Sequence, residues 1–510
     1  MPMPTNAIVV LLDSLNRHML GSYAGCVPER SVSEFDTPNL DGFAARPTTT
    51  RFTNHYAGSL PCIPARHDIL VGALDFLWRP WGSIEIWEDA LTAHLAAAGV
   101  TTMLVTDHPH LFEVGGENYH TDFTAWDYER GHEGDPWKTA DDPSFMGAPV
   151  RVSDRHVPYD TSRTWLRSEE EHPGPKTMSA AARWLDENAG RHDRFLLFVD
   201  EFDPHEPFDA PEPYASMYDP DWEGPRIIWP PYARAAVRKG IIDEREARHI
   251  RAAYGAKLTM IDAWFGRLLD AVERHGLWDD TAVIVCTDHG HYLGEKDIFG
   301  KPPVMVYETL GHIPLLVSWP GATASTNDAL TTSVDLFATL ADLFGVTPAH
   351  RTHGRSLRPL LEGSAESVRE HALIGVWGRE VHVVDGHRKY ARAPGGDNAP
   401  LSMWSNRWST MPVHGLREAR LPRPDARARL DRMPGSTVPV IRQPFDPSDV
   451  LPFWAWGGFR GNHLFDLDED PSEDRDLAGT PAEKEAADLL RAALEEVGTP
   501  DDQYLRLGLQ

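Results

Sequence analysis

Short apolar or β-branched runs alternate along the chain with longer amphipathic stretches, the pattern of a mostly parallel sheet with helices on its faces. The clearest unit lies between residues 243 and 290. There DEREARHIRAAYGAKLTMIDAWFGRLLDAVERHG opens with Asp243 and Glu246 in capping-box spacing and sets Ile250, Tyr254, Leu258, Ile261, Leu268 and Val272 on one stripe. Gly276 is placed to end this helix. TAVIVC follows as a buried strand, and the chain leaves it directly into TDHGHYLGEK. Three other apolar runs end in the same manner: AIVVLL runs into Asp13-Ser14, TTMLV into TDHPH at 106–110, and RFLLFV into DEFDPHEP at 200–207. In an open α/β sheet, ligands bind outside the carboxyl ends of the strands, so the four polar clusters are expected to converge in space.

Past about residue 366 the pattern changes. LIGVWGREVHVVDGHRKYARA reads as two strands around a hairpin turn at Asp385-Gly386, and PAEKEAADLLRAALEEVG as a late helix. The expected organisation is a catalytic unit over residues 1–365 and a smaller α+β unit with an antiparallel sheet over 366–510. Residues 396–455, rich in Pro, Arg and Trp, read as an irregular surface excursion, with a lid over the site or a contact between identical copies as the functional alternative. The aromatic run FLWRPWGSIEIW at 76–87 suits the core more often than a site mouth.

Composition narrows the function classes. A chain of 510 residues can bury a sizeable core. Its three cysteines, Cys26, Cys62 and Cys286, are odd in number and far apart, which indicates neither a disulfide framework nor a zinc knuckle and predicts a reducing, cytoplasmic setting. MPMPTNAIVVLLDSLNR carries no basic leader, and its apolar run is too short to span a membrane. The net charge of −28 argues against nucleic acid or an acidic membrane as partner, since both demand cationic surface. A small anionic substrate in a locally positive pocket remains compatible with it.

Any one Asp or His after a strand is as often a cap or turn residue, and with 24 histidines in the chain a single one means little. Four clusters together carry more weight. Asp13, Asp288 and His289 offer two carboxylates and an imidazole, a set that suits a divalent cation at a strand-end crevice. In SLPCIPARHDILVG, residues 59–72, Pro64 fits the first turn of a helix, so Cys62 is expected just ahead of a helix amino terminus. Free N–H groups gather there, and Arg66, one turn on, can aim its guanidinium at the same anion.

These residues resemble the type I sulfatase signature: Cys-x-Pro-x-Arg followed by a helix and a glycine, here Cys62, Pro64, Arg66 and Gly72. TPNLDGFA at 37–44, DPHEP at 203–207, TDHGHYLGEK at 287–296 with Lys301 beyond it, HIPLLVSWPG at 312–321, HGRSLRPLL at 353–361 and HLFDLDEDPSEDRDLAG at 463–479 resemble sulfatase segments in the sulfatase order. The resemblance implies an alkaline-phosphatase-like α/β/α sandwich with a mostly parallel central sheet. It also implies that a formylglycine-generating enzyme oxidises Cys62 to formylglycine, whose aldehyde hydrate is the nucleophile and forms a covalent sulfo-enzyme. Carried over by position, the metal ligands are Asp13, Asp288 and His289, with Ser14 as a neutral oxygen contact at best. Arg66 steadies the nucleophile, while His205 and Lys301 contact the transferred group and the leaving oxygen. His108 matches the histidine of the family's Lys-x-His element.

Two positions depart from the family pattern. Ser14 stands where many sulfatases have a second aspartate, and Thr106 where the Lys-x-His element has its lysine. The Asp-His pair at 288–289 is shared with choline and iduronate sulfatases and with phosphonate monoester hydrolases. An imidazole ligand makes Mn²⁺ or Zn²⁺ as suitable as Ca²⁺ or Mg²⁺. The expected activity is hydrolysis of a sulfate ester; the alternatives are a phosphonate monoester or phosphodiester hydrolase, and a silent relative that binds metal or anion with Cys62 unmodified.

Overall fold

The computed structural model describes residues 3–26, 34–151, 157–408, 423–455 and 461–510. Its central sheet has eight strands: β1 (Asn6–Leu12), β2 (Thr49–Phe52), β3 (Thr101–Thr106), β4 (Ala125–Tyr128), β5 (Phe195–Glu201), β6 (Thr281–Cys286), β7 (Leu315–Ser318) and β8 (Ser325–Asn327). They lie in the order β8-β2-β7-β6-β1-β5-β3-β4. Neighbours are parallel except around β7, which runs antiparallel to both β6 and β2.

The apolar runs are continuous because both faces of the sheet are covered. On one face Ile8, Val10 and Leu12 of β1 pack with Met178 and Leu185 of helix α2 (Pro173–Asn188) and with Ile250, Leu258 and Ile261 of helix α3 (Glu244–Arg274). On the other, Ala7, Val9 and Leu11 meet Ile63 and Ile69 of helix α1 (Cys62–Val71) and Leu336, Phe337 and Leu340 of helix α4 (Val334–Phe344). This is the expected three-layer sandwich. The capping box of α3 forms with both hydrogen bonds in place, from Glu246 N to Asp243 Oδ1 at 2.8 Å and from Asp243 N to Glu246 Oε2 at 3.0 Å.

Helix α1 begins one step earlier than the proline suggested: Cys62 is its first residue, and Pro61 precedes it. Every residue of α1 is buried, and Gly72 ends it at φ 79°, its N–H reaching the Asp68 carbonyl.

The carboxyl-terminal segment forms an antiparallel sheet in the order 372–375, 381–384, 388–392 and 463–466, with the hairpin at 385–386 between its second and third strands. Helix α5 (Ala482–Glu496) covers this sheet through Leu490 and Leu494, which share a core with Phe76, Leu77 and Trp78. The first half of the aromatic run is thus core. Residues 396–455 are more ordered than an irregular excursion. Leu401–Ser405 pairs with Pro439–Phe445, which pairs with Arg429–Arg432, and only residues 409–422 of this stretch lie outside the described residues. Among the described residues, no helix is long and apolar enough to cross a membrane.

Gly72 gives this frame a direct test. A Cβ there would sit 2.5 Å from Phe337 Cδ1 of α4, in a left-handed conformation. Gly72→Ala is expected to lower the unfolding free energy by about 2–3 kcal/mol, the sum of a positive-φ penalty and a local overpacking cost. A urea midpoint indistinguishable from the parent's would contradict this packing.

Candidate active site

Three adjacent strands deliver three carboxylates to one point. Asp13 follows β1, Asp288 follows β6 by one intervening residue, and Asp200 is the penultimate residue of β5. Arg66 enters from α1 and meets all three. Its Nη2 lies 2.6 Å from Asp200 Oδ1 and 3.0 Å from Asp13 Oδ2, its Nη1 lies 2.9 Å from Asp288 Oδ2, and its Nε donates to Asp200 Oδ2 at 2.9 Å. Nη1 also donates to the Cys62 carbonyl one turn back, at 3.1 Å. The guanidinium is wholly buried.

Around this cluster the backbone is tightly held. Ser14 adopts φ 62°, a left-handed conformation uncommon for a serine. Its N–H donates to Asp288 Oδ1 at 3.0 Å, and its carbonyl accepts the Tyr254 hydroxyl at 2.9 Å. Its own hydroxyl donates to Asp13 Oδ1 at 2.9 Å. His289 Nδ1 faces the Gly290 carbonyl at 2.9 Å, so that nitrogen carries the proton and Nε2 presents a lone pair. That lone pair points to Cys62 Sγ, 3.3 Å away.

Ligand atoms of Asp13, Cys62, Asp288 and His289 lie within 4.8 Å of one another. Three carboxylates here face two permanent cations, Arg66 and Lys301, and the buried Asp13 Oδ2 has the Arg66 ion pair but no well-directed hydrogen bond. Burial pushes the Asp13 carboxyl well above its usual range, and the neighbouring Asp288 charge adds to this. The Cys62 thiol is raised in the same way, by burial first and by Asp13 next. A site that favours protons on the Asp13 carboxyl and the Cys62 sulfur beside an ionised Asp288 is one that a divalent cation fits.

A second pole adjoins the carboxylates through Ser14. Lys301 Nζ is 2.7 Å from His205 Nε2, 3.3 Å from Ser14 Oγ and 3.9 Å from Cys62 Sγ. His205 Nδ1 donates to the Glu206 carbonyl at 2.7 Å, so its Nε2 accepts from the lysine. Burial lowers His205 to about 3, with Lys301 contributing and Glu206 opposing. Lys301 is raised despite its burial, chiefly by Cys62 and Glu206. The pair is therefore a neutral imidazole and an ammonium. His108 Nδ1 accepts the His110 N–H at 3.2 Å, which leaves the proton on Nε2, 3.7 Å from Asp13 Oδ2. Burial and Arg66 hold His108 well below its ordinary value, so it too is neutral.

Residues 5–346 match the family model described as Sulfatase. The chain belongs to the sulfatase family. It is similar to a choline-sulfatase of Rhizobium meliloti, 26% identical over 418 residues that cover 76% of this chain and 77% of the relative. A multifunctional alkaline phosphatase superfamily protein, PehA, of Trinickia caryophylli is 28% identical over 381 residues, 64% of this chain and 71% of that one. Among solved structures, the phosphonate monoester hydrolase of Agrobacterium radiobacter superposes with a TM-score of 0.63 at 19% identity, covering 97% of this chain and 95% of that chain. The fold is alkaline-phosphatase-like.

All nine residues singled out in this sulfatase's sequence gather at the two poles. One changes its meaning: Arg66 is not aimed at an anion, because its guanidinium is enclosed by Asp13, Asp200 and Asp288. Asp200 and Glu206 were missed as site residues. Both lie inside segments already noted, yet only the strand register shows that Asp200 comes level with Leu11 of β1 and so faces the cluster. Thr106, in place of the lysine, donates to the Asp200 carbonyl at 2.8 Å and accepts the His108 N–H at 3.0 Å, a turn-fixing role with no charge.

The arginine cluster sets a pH signature. Arg66 lowers the pKa values of Asp13, Asp200 and Asp288. Burial already holds Asp13 and Asp200 above their ordinary values; without Arg66 they rise further and Asp288 loses one of the charges that hold it low, and groups raised in this way lose stability as pH rises. Arg66→Met is expected to cost about 3–5 kcal/mol at pH 7.5 in urea unfolding, as for one partner removed from a buried ion pair. The loss should be smaller at pH 5.5. Equal losses at both pH values would show that the three carboxylates do not depend on this guanidinium.

Proposed function

We propose that this sulfatase hydrolyses a small anionic sulfate ester, with residue 62 as formylglycine and one divalent cation bound by Asp13, Asp288 and His289. The observation that carries this reading is the buried position of Cys62 Sγ, 3.3 Å from His289 Nε2 and 3.9 Å from Lys301 Nζ, at the amino terminus of α1. Cys62 stands as the unmodified precursor, and its Sγ marks where a hydroxyl of the aldehyde hydrate would lie. As a thiol it is held protonated beside Asp13, which weighs against a simple thiolate nucleophile. When bound, the cation would neutralise the excess carboxylate charge and polarise the ester's non-bridging oxygens.

This chain's own residues supply the rest. His108, neutral with its proton on Nε2, donates to an oxygen of the transferred group. Lys301 is the charged donor to the ester, on the side of the leaving oxygen, and His205 holds it through an accepted hydrogen bond. Arg66 touches neither; it steadies residue 62 through the Cys62 carbonyl and through the carboxylates. Ser14 contributes a neutral oxygen between Asp13 and Lys301.

A phosphonate monoester or phosphodiester reading is supported by solved structures of phosphonate monoester hydrolases from Agrobacterium radiobacter and Silicibacter pomeroyi with the same fold. Both ester classes carry one negative charge at neutral pH, so net charge does not separate them. The deciding measurement is kcat/KM for one aryl alcohol presented as sulfate, phenylphosphonate and phosphodiester, since the ratio reports transition-state preference. The sulfate should be preferred. A tenfold advantage for either phosphorus ester, about 1.4 kcal/mol, would transfer the assignment to the phosphonate hydrolases.

The modification is checked separately. The peptide spanning residue 62, from protein made in its own host, should have the mass of the aldehyde and not the thiol. Active protein with only unmodified cysteine there would remove the proposed nucleophile.

A further inference from the structure

The side chains around residue 62 are sealed from solvent: Cys62 is 3% exposed, His205 3% and Lys301 4%. Beside them stands one large side chain that is not. Tyr232 is 41% exposed, yet its hydroxyl turns inward and donates to Glu206 Oε1. Glu206 is the residue whose carbonyl fixes His205. The tyrosine ring lies against Gly300, where a Cβ would come within 2.3 Å of Tyr232 Cδ1. Gly300 immediately precedes Lys301, so the backbone that delivers the lysine lacks a side chain where the ring occupies the space.

Burial of the phenol raises its pKa, with Glu206 adding and Cys62 and Glu133 after it. The hydroxyl is thus protonated, a donor, and within electrostatic reach of residue 62. The main chain beside the ring is anchored: Ala233 and Arg234 pair with Phe299 and Ile298, and Ala236 N–H reaches the Asp297 carbonyl at 3.1 Å. The segment that follows Tyr232 is thus held by backbone pairing, independently of the Glu206 contact.

We propose that Tyr232 is the entrance residue of this site and its leaving-group contact: the ester reaches residue 62 past this ring, and its alcohol half then packs on it. The direction follows from one hydrogen-bonded run: Tyr232 donates to Glu206, the Glu206 carbonyl accepts from His205, and His205 accepts from Lys301, the donor assigned above to the leaving oxygen. An alcohol held at Lys301 then has this run, ending in the tyrosine, as its neighbour. A flat apolar alcohol, an aryl group above all, complements the ring. The leaving-group part rests on the hydrolase reading above; the entrance does not.

The entrance is tested on protein made without the modifying enzyme, by following alkylation of Cys62 with iodoacetamide relative to the half-buried Cys26. Tyr232→Ala should raise the Cys62:Cys26 labelling ratio tenfold or more. Tyr232→Phe, which keeps the ring and loses only the Glu206 anchor, should raise it less. An unchanged ratio in Tyr232→Ala would place the entrance elsewhere. A parallel rise at the buried Cys286 would mean a loosened fold and would equally overturn the proposal. In modified enzyme, Tyr232→Ala should raise KM for an aryl sulfate about tenfold while inhibition by inorganic sulfate, which has no alcohol half, stays within twofold. Equal weakening of both would overturn the leaving-group contact. Increased labelling with a parent that turns over no sulfate ester would leave the entrance standing and remove the function.

Discussion

One buried guanidinium ties the catalytic end of this molecule together. Arg66 bridges the ends of β6, β1 and β5, three neighbours in the sheet, to the first turn of α1. A unit-charge pair at 4 Å is worth about 4 kcal/mol at an effective dielectric of 20, and desolvating each ion costs several kcal/mol, so an isolated pair here would gain little. Three carboxylates sharing one planar fork change that balance, because the arginine is desolvated once and paired three times. Lysine could not substitute, since a point charge does not present donors to three acceptors at fixed angles. The consequence for chemistry is that Arg66 has no donor directed at substrate. Under the proposed function, recognition of the anion would fall to Lys301, His108 and a bound cation.

The same burial settles the protonation of the site. His205 is lowered to about 3, His289 to about 4 and His291 to about 3, in each case by burial first. His289, His205 and His108 are therefore neutral groups, each with its tautomer fixed by a hydrogen bond at the second nitrogen. Gly290 and Glu206 carbonyls set His289 and His205 as acceptors at Nε2, and the His110 N–H sets His108 as a donor there. Lys301 is left as the cation beside residue 62. A substrate with one negative charge then meets one positive charge and one neutral donor, with the hydrogen-bond roles assigned before it binds.

How much of this the sequence disclosed depended on the range of the interactions. The α3 capping box and stripe were legible because both are local, with spacings of three and four residues. The convergence of Asp13, Asp288, His205 and His108 was legible because a parallel sheet puts the carboxyl ends of its strands at one edge. Asp200 was not, since its meaning depends on which residue of β1 lies beside it, and register is a tertiary property. The direction of Arg66 was hidden for the same reason. Residues 396–455 read as irregular because strands such as Arg429–Arg432 are largely exposed and polar, so they lack the apolar alternation that marks a half-buried strand.

The two departures from the family pattern can be understood as one. Ser14 replaces a carboxylate and Thr106 replaces a lysine, so a negative and a positive charge vanish from the same buried region and its balance is unchanged. Each hydroxyl makes hydrogen bonds of its own: Ser14 Oγ accepts from Lys301 at 3.3 Å, and Thr106 holds the backbone between Asp200 and His108. Losing only the aspartate would leave Lys301 with less to hold it beside residue 62. Losing only the lysine would add to a carboxylate excess already sufficient for a divalent ion. With both gone, Asp13, Asp288 and His289 remain as a set that could hold a divalent ion, and the permanent positive charge beside residue 62 is concentrated at Lys301.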